Sequence, residues 1–189
     1  MKWLRSISID WSLLKNITIV ILVRRVLLFV VGLFADALIK FEPSYPYYES
    51  ILRPFGPAWF VKWGGFDGVH YLTIAAKGYI GTGLIQAFFP LYPMLLRIIA
   101  TTFTPIFAGM LISTLCFIGA MYVWVLFIRD RKIKIAWWMA MLPWLIFPTS
   151  FYFGAIYTES LFMLLVFVSI YNLQRKHIFL ASIFIDYRF

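Results

Sequence analysis

Charged residues are scarce in this sequence: they make up 13% of its 189 residues, whereas soluble proteins carry about 25%. Hydrophobic residues make up 63% of the chain, and a soluble domain of this size would expose many of them to water. The low charge therefore excludes an ordinary soluble domain, and the expected solvent for most of the chain is lipid.

Cysteine and histidine are also scarce. The one cysteine, Cys116, excludes an intrachain disulfide and a cysteine-based metal site, and His70 and His177 are too few for a histidine metal site. The sequence has no phosphate-binding glycine loop, no Gly-x-Ser-x-Gly nucleophile motif and no EF-hand spacing. We therefore expect neither a metal nor another cofactor.

Basic residues exceed acidic ones, 17 to 8, which gives a formal net charge of +9. The basic residues cluster between apolar runs, as at 129–134 and 175–176. This is the pattern of cytoplasmic loops in membrane proteins, where Lys and Arg collect. The charge therefore predicts a membrane topology with contacts to lipid, and we expect no nucleic-acid partner.

The apolar runs predict an all-α, polytopic membrane protein with about four spans and a partial fifth. In chain order the predicted segments are a cytoplasmic tail (1–16), a span (17–39), an outer loop with interfacial helices (40–104), a span (105–128), a cytoplasmic turn (129–134), a two-span hairpin (135–173), and a cytoplasmic turn with the start of a truncated span (174–189). Because the last run is shorter than a span, we expect the chain to be the N-terminal part of a longer protein.

Two arginines, Arg24 and Arg25, lie well inside the first predicted span, where charge is costly. In one interpretation the helix enters the membrane near Arg24 and the two side chains extend to the water. In the other, the pair faces a polar pocket of the protein. The sequence favours the first interpretation but leaves both open.

The outer loop contains one informative stretch, at 63–79. Asp67 and Gly78 bracket a segment of helical periodicity, so Asp67 is predicted to be its N-cap and Gly78 its C-terminal cap. A carboxylate in this position can also act as a general base, and Gly68 would let a substrate approach it closely. His70 and Tyr71 follow at helical spacing on the same face. The structural and the catalytic interpretations are compatible.

A second informative stretch, at 147–160, places Glu159 within an otherwise apolar region. An acidic residue in such a run indicates a functional site. In the alternative interpretation Thr158 caps a helix and Glu159 lies in its first turn, where the helix dipole favours an acid. The many aromatic side chains could stack on sugars, although Trp and Tyr also collect at membrane interfaces.

Three motifs in order give the chain a family resemblance. They are FDGVHY at 66–71 followed by Ala75 and Gly78-Tyr79, then AFFPLYP at 87–93, and then PTS at 148–150 leading to YTES at 157–160. In these motifs the sequence resembles the PIG-V-type mannosyltransferases, which supply the second mannose of the GPI anchor and have prokaryotic relatives. Members of that family usually have Trp where this chain has Phe66, and they are longer.

The resemblance implies a membrane glycosyltransferase of the GT-C type. Its donor would be a hexose, expected to be mannose, on a polyprenyl or dolichyl phosphate, and its acceptor a lipid-linked glycan. Asp67 occupies the position of the family's acid in the first outer loop and is the expected general base. The expected substrate-binding residues are His70, Tyr71, Lys77, Arg97 and Glu159.

The expected location follows from the host: the cytoplasmic membrane in a prokaryote, or the ER membrane in a eukaryote. The alternative function is a non-catalytic membrane scaffold or a transporter fragment. A transporter would more often place its ionisable residues near the middle of the bilayer, whereas Asp67 is predicted to lie in a loop.

Overall fold

The structure, a computed structural model, describes residues 9–39, 42–43, 46–80, 83–177 and 182. These residues form helices and turns, with no strand among them, which confirms the all-α prediction. Two of the helices are long and apolar enough to cross a bilayer, and a strongly bent helix pair would add a third crossing. Apart from residue 182, the predicted partial fifth span lies outside the described residues, and the predicted total of about four spans stays a prediction.

The helices of the described residues are numbered in chain order. They are α1 (Trp11–Leu38), α2 (Ala58–Val61), α3 (Asp67–Lys77), α4 (Leu91–Ile99), α5 (Pro105–Asp130), α6 (Trp137–Ile146) and α7 (Glu159–Gln174). Short helical turns at Tyr48–Leu52, Arg53–Phe55, Lys62–Gly64, Ile85–Ala87 and Pro148–Gly154 lie between them.

Helix α1 begins earlier than the apolar run that predicted it. Asp10 caps it, because its Oδ1 accepts a hydrogen bond of 2.9 Å from the backbone N–H of Leu13, and this satisfies one of the free donors at the helix start. Of the polar residues before Ile17, Ser12, Lys15 and Asn16 therefore belong to the same helix. Both arginines consequently lie near the middle of α1.

Helix α5 is the centre of the bundle and matches the predicted span closely. It starts at Pro105, a favourable first helical residue, and packs most extensively against α7. Its N-terminal half packs in a core with α3, α4 and residues 155–161, and its C-terminal half packs in a second core with α1, α6 and α7. The first of these cores carries the candidate site.

The predicted hairpin at 135–173 differs from the observed structure. Helix α6 has 10 residues, which corresponds to about 15 Å of helix, while the hydrocarbon core of a bilayer is about 30 Å thick. Pro143 lies inside α6 and Pro148 follows it, and proline removes a helical hydrogen bond. The turn Pro148–Gly154 then meets α7 at an angle of 90°.

Ion pairs join three helix ends at the cationic end of the bundle. Arg129 contacts Asp10 at 3.0 Å, which links the end of α5 to the start of α1. Arg175 contacts Asp130 at 2.9 Å, which links α7 to α5. The start of α1 and the ends of α5 and α7 therefore lie together. This arrangement is compatible with the predicted topology, whose orientation in the membrane stays a prediction.

Candidate functional site

Helix α3 presents the carboxylate of Asp67 at its first residue. The N-cap is Phe66, whose φ of 50° is unusual for a residue other than glycine, so the predicted cap is displaced by one position. Gly78 ends the helix with a φ of 78°, and its N–H donates to the carbonyl of Ile74 at 2.9 Å, as a helix C-cap requires. Asp67 is exposed and lies at the positive end of the α3 dipole.

His70 and Tyr71 bring the first motif against the second. The ring of His70 stacks on Phe88 with centroids 4.7 Å apart, and Tyr71 meets Phe88 edge-on at 5.1 Å. Tyr71 also contacts Tyr92 at 5.2 Å. Residues 87–93 thus pack directly on the face of α3 that carries His70 and Tyr71.

The third motif is hydrogen-bonded to the first. The backbone N–H of Ile156 donates to the carbonyl of Trp63 at 2.8 Å, and the Tyr157 hydroxyl donates to the carbonyl of Gly65 at 3.0 Å. The hydroxyls of Tyr71 and Thr158 are hydrogen-bonded at 3.3 Å. Thr158 precedes α7 as predicted, but its side chain makes no capping bond and serves this contact instead.

Three glycines enclose Ile156, which is fully buried. A Cβ on Gly64 would lie 3.1 Å from Ile156 Cδ1, one on Gly68 would lie 3.3 Å from the Ile156 carbonyl oxygen, and one on Gly109 would lie 2.9 Å from Cγ1 and Cγ2. The expectation that Gly68 makes room for a substrate is therefore corrected: its missing side chain makes room for the backbone of residue 156.

Two carboxylates, Asp67 and Glu159, flank this junction. They interact electrostatically with each other. The pKa of Tyr71 is raised mainly by burial and further by both carboxylates, while its bond to Thr158 lowers it. Glu159 is half-buried, and its Oε2 atom is buried with no hydrogen-bond partner. An exposed acid and a partly buried acid therefore lie around one tyrosine.

Tyr92 anchors the second motif to α5. Its hydroxyl donates to the carbonyl of Gly109 at 3.0 Å and is hydrogen-bonded to Ser113 Oγ at 2.9 Å. Ser113 in turn donates to the carbonyl of Tyr157 at 3.4 Å. Burial raises the pKa of the Tyr92 phenol, so it stays neutral and can donate.

We expect Tyr92→Phe to lower the free energy of unfolding by about 1–3 kcal/mol, because buried polar partners lose a hydrogen bond. Tyr79→Phe is the matched control, since Tyr79 also donates to a carbonyl, that of Phe88, but is exposed. Tyr79→Phe should lower the free energy of unfolding by clearly less than Tyr92→Phe. Unfolding of both variants in mixed detergent micelles measures the difference, and equal losses would contradict the importance of the buried network.

Lys77 and Arg97 are not brought to Asp67 in the way that His70 and Tyr71 are. Lys77 is the last residue of α3. A helical rise of about 1.5 Å per residue places its Cα about 15 Å along the helix from the Cα of Asp67. Arg97 is exposed in the last turn of α4. Neither Lys77 nor Arg97 therefore contacts the junction of the three motifs.

Sequence reasoning missed the hydroxyls of Tyr157 and Thr158 as the links between motifs, although both lie in the YTES motif. It also missed a groove of about 410 Å³ between α1, α2 and α5, whose lining includes Leu22, Phe29 and Phe107. In the part of the chain that the structure describes, no group of three or more His, Cys, Asp or Glu side chains could hold a metal ion.

Comparisons with protein-family models, with curated proteins and with solved structures find no match to this chain. The functional argument therefore rests on the motifs and on the geometry that joins them.

Proposed function

We propose that the chain is a membrane glycosyltransferase of the GT-C type. It would move a hexose, with mannose as the first candidate, from a polyprenyl or dolichyl phosphate to a hydroxyl of a lipid-linked acceptor. The observation that carries the proposal is the convergence of three motifs far apart in sequence: residues 63–71, 88–92 and 156–159 meet around Tyr71.

The position of this junction suits chemistry at a membrane surface. It lies beside the N-terminal half of α5, away from the end where Arg129 and Arg175 form their ion pairs. Under the positive-inside rule the cationic end faces the cytoplasm. The junction would then face outward, where a lipid-linked sugar donor can reach it.

Asp67 is the proposed general base. As the acceptor hydroxyl attacks the anomeric carbon, the bond from that carbon to the phosphate oxygen breaks, and polyprenyl phosphate leaves with the electron pair. The hydroxyl proton passes to the Asp67 carboxylate, which is exposed and therefore accessible to an acceptor. General-base assistance of this kind contributes about 10²–10⁴-fold to a rate.

The other residues have supporting roles in the proposal. The leaving phosphate needs hydrogen-bond donors or positive charge, and His70 on the same helical face as Asp67 is the best-placed candidate. Glu159 would orient the acceptor, since it interacts electrostatically with both Tyr71 and Asp67. The apolar groove at α1, α2 and α5 offers a surface for a polyprenyl chain.

The experiment reconstitutes the purified chain in liposomes with a total membrane lipid extract. Polyprenyl-phosphate mannose, labelled in the sugar, is one donor, and a labelled nucleotide sugar is the other. We expect label to appear on an extractable acceptor lipid only with the polyprenyl donor. No transfer from that donor, or transfer from the nucleotide sugar alone, would contradict the proposal.

A further inference from the structure

The arginine pair in the middle of α1 contacts protein groups in the structure. Arg24 and Arg25 are both half-buried, although much of the surrounding helix is exposed and apolar. Charge at the middle of a membrane span is costly unless polar groups of the protein receive it. The contacts show that both side chains face the protein: Arg24 meets polar groups, whereas Arg25 meets aromatic rings and its Nη1 is buried without a hydrogen-bond partner.

Arg24 connects α1 to the break after α6. Its Nε donates to the carbonyl of Leu145 at 3.0 Å, and its Nη2 donates to Ser150 Oγ at 2.6 Å. The hydroxyl of Ser150 donates to the same carbonyl at 3.1 Å. Carbonyls in the last turn of a helix have no partner within the helix, so Arg24 and Ser150 together satisfy the carbonyl of Leu145 near the end of α6.

Arg25 connects α1 to both loops of the candidate site. Its guanidinium carbon lies 4.5 Å from the ring centroid of Trp63 and 5.0 Å from that of Phe29. On its other side the guanidinium of Arg25 packs against Gly154, where an added Cβ would overlap Arg25 Nη1. A planar guanidinium stacks on aromatic rings in a way that an ammonium group does not reproduce.

We propose that Arg24 and Arg25 are positioning residues that set the bend between Pro148–Gly154 and α7 against the loop at 62–66. Arg24 fixes the start of the bent segment, and Arg25 is clamped between its end, at Gly154, and Trp63. Trp63 also accepts the hydrogen bond from Ile156. The pair thereby sets the separation of Glu159 from Asp67, and the consequence for catalysis rests on the proposed transferase.

The test disturbs the Arg25 contact in two ways that keep both positive charges. Arg25→Lys removes the planar group, and Gly154→Ala displaces it by adding a methyl group where Nη1 lies. Pairs of spin labels replace Ala76 and Phe151, which are exposed on α3 and on the bent segment. A control pair replaces Leu115 and Phe162, exposed on α5 and α7, and Cys116→Ala removes the native thiol in every variant.

Each single variant should shift or broaden the distance distribution between positions 76 and 151 and leave the control pair unchanged. The double variant should change it no more than the larger single change, because both substitutions remove the same contact. An unchanged distribution between 76 and 151 would overturn the proposal. Equal changes in both label pairs would also overturn it, since the arginines would then support the whole bundle.

The second readout is sugar transfer in liposomes. A displacement of about 1 Å at a reacting site can lower a rate by about 10²-fold, and we expect a loss of that order in both single variants. If the unmodified chain transfers no sugar, the proposed function fails while the label distances still test the positioning role. Full transfer with shifted distances would overturn the link between the bend and catalysis.

Discussion

Asp67→Asn should lower the rate of sugar transfer by about 10²–10⁴-fold, the usual contribution of a general base, while the protein stays folded. Asparagine has nearly the same shape as aspartate and lacks only the charge that interacts with the positive end of the α3 dipole. Asp67 is exposed, so the exchange leaves no buried group without a partner. The loss should therefore appear in turnover, while the free energy of unfolding falls by at most about 1 kcal/mol.

The matched control for Asp67 is Glu49→Gln. Glu49 is another exposed acid of the outer loop, ion-paired with Arg53 at the start of the next short turn, and exposed pairs of this kind contribute little to stability. We expect transfer within about twofold of the unmodified protein. Initial rates of all three proteins in the same liposomes measure this. Equal rates for Asp67→Asn and the unmodified chain would remove Asp67 from the mechanism.

The second large effect concerns the fold that holds the motifs together. Gly109→Ala should lower the free energy of unfolding: overpacking a core usually costs about 1–3 kcal/mol, which the gain of up to about 1 kcal/mol in helix propensity offsets only in part. The new methyl group would lie 2.9 Å from both Cγ atoms of Ile156, a β-branched side chain with little rotational freedom. Ile156 has little room to move away from the new methyl group, because Gly64 and Gly68 also pack closely against it.

Gly119→Ala is the control on the same helix. There the added methyl group would meet the end of the Leu164 side chain at 3.1 Å, and a leucine end can move at small cost. Replacing helical glycine by alanine also gains up to about 1 kcal/mol of helix propensity. We expect this variant to unfold at or above the midpoint of the unmodified protein. Equal destabilisation by the two variants would contradict the claim that Ile156 is tightly packed against Gly109.

The sequence predicts best where local signals are strong. The run without charge before Arg129 predicts a span at 105–128, and the observed helix α5 is Pro105–Asp130. The Asp67 and Gly78 signals bracket α3 to within one residue. Helical spacing also places His70 and Tyr71 on one face, and the structure packs both rings against Phe88.

The sequence predicts less where distant residues decide the conformation. Length and hydropathy predict a two-span hairpin over 135–173, and they do not indicate that α6 has 10 residues or that Pro148–Gly154 meets α7 at 90°. Arg24 and Arg25 of α1 contact this bend at Ser150 and Gly154. The hydrogen bond from Ile156 to Trp63 has no local pattern, because nothing near either residue indicates the other. The packing of Gly68 against the backbone of Ile156 likewise has no local signal, because the two residues are far apart in the sequence.

The most direct test of the proposed reaction is to follow both parts of a doubly labelled donor. Polyprenyl-phosphate mannose carries one label in the mannose and another in the phosphate, and the purified chain in liposomes converts it in the presence of membrane lipid extract. We predict that the mannose label moves to the acceptor lipid while the phosphate label stays on the polyprenyl carrier. Transfer of both labels together, or retention of both on the donor, would contradict the proposed hexosyltransferase.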